Sequence, residues 1–213
     1  FEIGYFESVL KNNFFDTTYH EHLDYHHANP IAKYLTKIGF DVINFDTNDV
    51  QGGTLRIHAK KTYKGKLTDQ AKTFLLKEKK GVLYNSKFLK DWCLNINSSM
   101  VKFGDSVKEY SKQKKIIAGY GVPTKATLLL KLAKLNENQI NFIFEDNIHK
   151  VNKFLPSTSI KIESSEKLNV KKPDILIILA WNFSQDILEK IKKQIDYPLK
   201  CIVPLPEYRE FLI

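Results

Sequence analysis

Lys115-Ile116-Ile117-Ala118-Gly119-Tyr120-Gly121-Val122-Pro123-Thr124-Lys125 reads as an apolar strand that runs into a glycine turn and then a helix, with Thr124 as the expected cap of that helix. The pattern repeats outward from it. Thr124 to Leu135 has helical spacing, and Ile140 to Phe144 is a short apolar run that ends at Glu145-Asp146. Asp174 to Ala180 is another such run, followed by an amphipathic stretch from Ser184 to Ile195 and a last apolar run from Leu199 to Val203. Apolar strands separated by helices predict a parallel sheet covered on both faces, so the class is α/β.

Upstream of Lys115 the chain changes character. Phe88, Trp92, Ile96, Met100, Val107 and Tyr110 recur at helical steps, which predicts a long connecting helix over residues 85–113 whose apolar stripe is core or interface. Before it, residues 1 to 10 read as a strand followed by a loop. Pro30 to Ile38 reads as a helix with proline in its first turn and Gly39 as its stop. Asp41 to Asp46 and Thr54 to Ala59 alternate as strands around the hairpin-like turn Gln51-Gly52-Gly53. That order suits the closing portion of an open α/β sheet. Three regions are therefore expected: 1–84, 85–113 and 114–213.

Composition narrows the functions. The 213 residues include 43% apolar side chains, enough for one good core or two small ones. No apolar run approaches the roughly 20 residues of a membrane span, and the first residues have no signal-peptide pattern. The start, Phe1-Glu2-Ile3, lacks an initiator methionine and reads as a strand, which suggests a fragment or processed chain. The formal charge is +9, yet only Arg56 and Arg209 interrupt the lysines. A nucleic-acid face concentrates arginine with aromatics, so a solvated basic surface is the better account and nucleic acid is not an expected partner. Cys93 and Cys201 lie far apart in apolar surroundings and are expected to be buried free thiols of a soluble cytoplasmic protein.

Two places could hold chemistry. In open parallel sheets, ligands bind beyond the carboxyl ends of the strands. Gly119 to Lys125 occupies such a position, and Tyr120, Thr124 and Lys125 are its candidate substrate-binding residues. The turn is not a dinucleotide fingerprint, because Thr124 stands where the third glycine would be, so a phosphate or sugar ligand and a plain strand-to-helix turn remain open. Glu145-Asp146 stands where a ribose-binding acid would sit.

The second place is Asp16-Thr17-Thr18-Tyr19-His20-Glu21-His22-Leu23-Asp24-Tyr25-His26-His27, with four of the six histidines. A metal site, a structural polar cluster and acid–base catalysis all fit these residue types. In an extended strand Tyr19 and Glu21 would face one side and His20 and His22 the other, whereas a turn would bring them together.

Phe15 to Tyr25, with Tyr19-His20-Glu21-His22 at its centre, resembles the Tyr-His-Glu-His signature of the S-adenosylmethionine-dependent deoxysugar C-methyltransferases. Further segments resemble the family in the same order: Gln51 to Arg56, Gly119 to Lys125, Lys153 to Thr158, Leu179 to Phe183 and Val203 to Pro206. The resemblance implies a Rossmann-like methyltransferase end portion, a connecting helix and a C-terminal Rossmann-like domain. It implies methylation at carbon of a nucleotide-linked keto-sugar through an enolate. In that scheme His22 is the base, Tyr19 steadies the enolate oxygen, Glu21 binds or orients groups, and His20 has no chemical role. Arg56 is a candidate for a substrate carboxylate or phosphate, or else ties its strand to a neighbouring acid.

The family also has an N-terminal zinc module with four cysteines and a glycine-rich S-adenosylmethionine loop, and this sequence contains neither. No metal ligands are assigned to the chain itself. Gln51 replaces the family's usual histidine and Ser157 the glycine of its Pro-Gly-Thr turn. A missing N-terminal half or a partner chain is expected to supply the cofactor site. The alternative is a non-catalytic sugar-nucleotide-binding or assembly module that depends on such a partner.

Overall fold

The computed structural model describes residues 1–19 and 21–213, apart from the side chain of Gln51; His20 and that side chain lie outside the described residues. The chain divides into two compact units, Phe1–Asn95 and Ile96–Ile213.

In the first unit, β1 (Glu2–Gly4) leads through Tyr5 into α1 (Phe6–Lys11), so a helix replaces the loop expected there. Tyr5 is buried and carries the chain from sheet to helix. Next come α2 (Ala28–Lys37), β2 (Phe40–Asn48), β3 (Thr54–Lys61) and α3 (Asp69–Lys79). Pro30 sits in the first turn of α2, where its missing N–H has no helical partner to lose. The strands form an antiparallel sheet in the order β1-β3-β2, with Glu2 opposite Arg56 and Asn48 opposite Thr54. Period-two alternation puts Leu55 and Ile57 on the buried face, where Val42 and Phe45 join them. Against that face α2 supplies Ala32 and Leu35, and α3 supplies Ala71 and Leu75. Each fully buried leucine or isoleucine there contributes about 1.5–3 kcal/mol relative to exposure.

The helix α4 (Ser86–Lys112) runs through the division between the units. Its buried residues are Met100, Phe103, Gly104 and Val107. Phe88, Trp92, Ile96 and Tyr110 of the expected stripe are only half-buried. Cys93 is exposed, contrary to expectation, because it lies off that stripe; Cys201 is buried.

The second unit continues with β4 (Ile117–Tyr120), α5 (Ala126–Leu132), β5 (Phe142–Glu145), β6 (Lys161–Ser164), α6 (Leu168–Lys171), β7 (Ile175–Ile178), α7 (Ser184–Gln194), β8 (Lys200–Val203) and β9 (Arg209–Leu212). The sheet order is β6-β5-β4-β7-β8-β9. All neighbours are parallel except β8 and β9, which are antiparallel. The chain starts at the centre, builds one half and returns to build the other, so the strand order reverses between β4 and β7. Strands β4, β5 and β7 are buried at every residue, as a sheet covered on both faces requires. The edge strands β6 and β9 were not legible in the sequence. Among the described residues, no helix is long and apolar enough to cross a membrane.

Candidate functional site

Three segments of the first unit meet beyond the end of β1. The Tyr5 N–H donates to the Gly53 carbonyl at 3.2 Å, and the Phe6 N–H donates to the His26 carbonyl at 2.9 Å. The turn between β2 and β3 and the histidine-rich segment are thereby tied to the same short stretch. Gly53 has φ +120°, and a Cβ there would lie 2.3 Å from the Ser8 Cβ. Only glycine satisfies both the backbone conformation and the close approach. The result is a cleft of about 410 Å³ whose lining includes Glu21, His22, Asp24, His26, Gly52 and Gly53.

The histidine-rich segment is turned, not extended. The His22 N–H donates to the Tyr19 carbonyl at 2.9 Å. The two rings lie 4.5 Å apart between centroids with 32° between their planes. Tyr25 closes the segment, its ring 5.3 Å from that of Phe6 and its hydroxyl donating to Thr18 Oγ1 at 3.1 Å. Loss of solvent, then the charge of Glu21, raises the pKa of the Tyr19 phenol, so it stays a proton donor. His22 and Glu21 are solvent-exposed where they line the cleft.

The far end of the segment is held by a residue the sequence reading passed over. Glu78, buried on α3, accepts from the backbone N–H of Ala28 at 2.6 Å and of Asn29 at 2.9 Å, satisfying the start of α2. It also accepts from the Asn29 amide at 2.6 Å and from the Tyr5 hydroxyl at 3.1 Å, and pairs with His27 Nδ1 at 3.0 Å. Burial alone would raise its pKa, but the hydrogen bonds from Asn29, His27 and Ala28 prevail and lower it. The signal was present: Ala71, Leu75 and Glu78 share one helical face, so a carboxylate stands where the pattern calls for an apolar residue.

Arg56 does not line the cleft. It makes a two-pronged ion pair with Glu2 on the neighbouring strand, through Nε at 3.0 Å and Nη2 at 2.9 Å. Hydrogen bonds from Thr54, Asn48 and Arg56 lower the Glu2 carboxyl to about 2.

In the second unit, the candidates sit at the carboxyl edge of the sheet. The buried Tyr120 hydroxyl donates to both oxygens of Asp146 at 3.1 Å and accepts from Lys190 Nζ at 3.1 Å. Lys125 reaches Asn182 Oδ1 at 2.7 Å and lies 4.3 Å from the centre of the Trp181 ring. Thr124 does not cap α5. The helix begins at Ala126 with Lys125 as its flanking residue and no side-chain cap, because the turn closes by the Ala126 N–H donating to Pro123. Glu145 is committed to the backbone, accepting from Val122, Asp146 and Asn147 at 2.8–3.0 Å. Among the described residues no group of three or more histidine, cysteine or acidic side chains could hold a metal ion.

A family described as the C-methyltransferase C-terminal domain matches residues 49–206, more than half of the chain. The chain belongs to that family. Its match starts at the β2–β3 turn, takes in α4, and ends beyond β8. The C-methyltransferase NovU of Streptomyces niveus is 29% identical over 210 residues, covering 98% of this chain and 50% of that protein. The chain thus spans about half the length of the curated relative it matches. The histidine-rich segment lies upstream of the family match, within the stretch shared with NovU.

Proposed function

We propose that this member of the C-methyltransferase family activates a carbon acid, the position next to the ketone of a nucleotide-linked deoxysugar, for methylation. The observation that carries the reading is the cleft beyond β1, which His22 and Glu21 line together with Gly52 and Gly53, with the Tyr19 ring tilted against that of His22. A proton on carbon next to a carbonyl is removed by a positioned base, and the electron pair moves onto the carbonyl oxygen. His22 takes that proton on a ring nitrogen. The Tyr19 phenol, kept protonated, donates to the enolate oxygen. Glu21 orients the substrate's polar groups from the cleft wall. The glycine turn presents no side chain, which leaves room for a sugar ring.

The methyl donor implied by the family, S-adenosylmethionine, supplies an electrophilic methyl group. Among the described residues of the first unit its usual cradle, a glycine-rich strand-to-helix turn, does not occur, and β1 enters α1 through buried Tyr5. The chain's described residues do not by themselves fit that cofactor, and the steps they carry out are those on the acceptor.

The test is His22→Asn in the methyl-transferring enzyme that contains this chain. Methyl transfer is expected to fall by about 10²–10⁴ while sugar-nucleotide binding persists. Where the parent washes deuterium from solvent into the position beside the ketone, the variant should lose that exchange as well. Exchange at the parent rate without methylation would move the base elsewhere.

A further inference from the structure

A second groove of the first unit has a lining distinct from that of the cleft beyond β1. It has a volume of about 860 Å³ and runs between α2 and α3. Its lining includes the apolar side chains of Ala32, Leu67, Leu75 and Leu76. Leu76 is 60% exposed although it sits among these, so the groove presents apolar surface to solvent. Tyr84 contributes an aromatic wall, and the edge-on His27 ring beside it is anchored through Nδ1 to buried Glu78.

Charge on the rim has one sign. Lys33 from α2 and Lys79 from α3 both line the groove and are exposed. Among the described residues neither makes a salt bridge, whereas Lys72 on the same rim is held by Asp69 at 2.9 Å. Glu78, the acid nearest Lys79 in sequence, has its side chain fully buried and turned to the start of α2. Two uncommitted ammonium groups over an apolar floor complement a molecule with an apolar body and an anionic end. The volume lies within the roughly 300–1,000 Å³ usual for small-ligand sites.

We propose that the α2–α3 groove is a binding site for a small amphipathic anion, distinct from the site of methylation. The apolar body lies along Ala32, Leu75 and Leu76, and the anionic group sits between Lys33 and Lys79.

The probes are anilinonaphthalene sulfonate, which joins an apolar body to one negative charge, and its uncharged counterpart N-phenylnaphthylamine. Fluorescence titration of the whole chain should show the sulfonate binding more tightly than the neutral probe. Two exposed lysines near one anion are worth about tenfold in affinity, so Lys33→Glu with Lys79→Glu should weaken the sulfonate by at least that factor. The same double variant should leave the neutral probe within about twofold of the parent. Leu76→Asp, at an exposed position that does not endanger folding, should weaken both probes. The proposal is overturned by equal sulfonate binding in the parent and the double variant, or by equal affinity of the two probes for the parent. A dimer in the parent that the double variant dissociates would also overturn it, because the groove would then be an interface between copies.

Discussion

The Tyr19 and His22 rings lie 4.5 Å apart between centroids and are tilted by 32°, so the two side chains are in direct contact. Two substitutions separate the ring from its hydroxyl. Tyr19→Phe keeps the ring contact and removes the proposed donor to the enolate, and about a tenfold loss of turnover is expected. Tyr19→Ala also removes the ring contact, worth about 0.5–1.5 kcal/mol, and should fall further. Because the phenol's pKa is raised, no loss of rate belonging to Tyr19 should appear below about pH 10. Initial rates of both variants across pH decide the matter; identical losses would show that only the hydroxyl counts.

Glu78 makes stability depend on acid. Its folded pKa lies below the ordinary value of 4.5, so its contribution is present above that value and is lost as pH falls through the lowered one. Urea unfolding should show the parent losing stability below about pH 4.5, and Glu78→Gln should flatten that dependence. At neutral pH Glu78→Ala leaves the buried Ala28 N–H and the partly buried Asn29 N–H without their acceptor, at a cost of about 2–4 kcal/mol. An unchanged unfolding midpoint in the alanine variant would refute the capping role.

The two cysteines should differ in reactivity. Cys201 is fully buried and burial pushes its thiol up to about 12, which suppresses the thiolate. Cys93 is exposed. A thiol reagent should therefore titrate one group in the native protein and a second only after denaturation, and Cys93→Ser should abolish the first. Two rapid equivalents in the native state would contradict this burial.

Gly53→Ala combines a disfavoured φ with a clash at Ser8, and a loss of about 1–3 kcal/mol is expected. Ser8→Gly in the same chain should restore the steric part and leave the φ part. If thermal melts of the single and double variants coincide with the parent, the turn tolerates a side chain and the close approach is not required.

What the sequence determined by itself is local. Near-continuous apolar runs such as Ile175 to Ile178 can only be strands buried on both faces, and their alternation with helices dictates a parallel sheet. Alternation in Asp41 to Asp46 and in Thr54 to Ala59 pointed to the hairpin of the first unit, and the spacing from Phe88 to Tyr110 to the long helix. The residue types of the segment around Tyr19, Glu21 and His22 admitted a metal site, a structural polar cluster or acid–base chemistry alike. Edge strands β6 and β9 were not, because a half-exposed strand has a mixed pattern that resembles a loop. Contacts between distant residues were decided only by tertiary structure. Arg56 could meet a ligand or an acid, and pairing of β1 with β3 puts Glu2 directly opposite it. Glu78 reaches the start of α2 from some 50 residues away only because α2 and α3 pack on one face of the sheet. The segment from Tyr19 to His27 has no helical or strand period, so its own residues leave its turn undetermined. Its conformation comes from the bonds that hold its end, at Phe6, Tyr5 and Glu78, and those exist only once the core beneath them has formed.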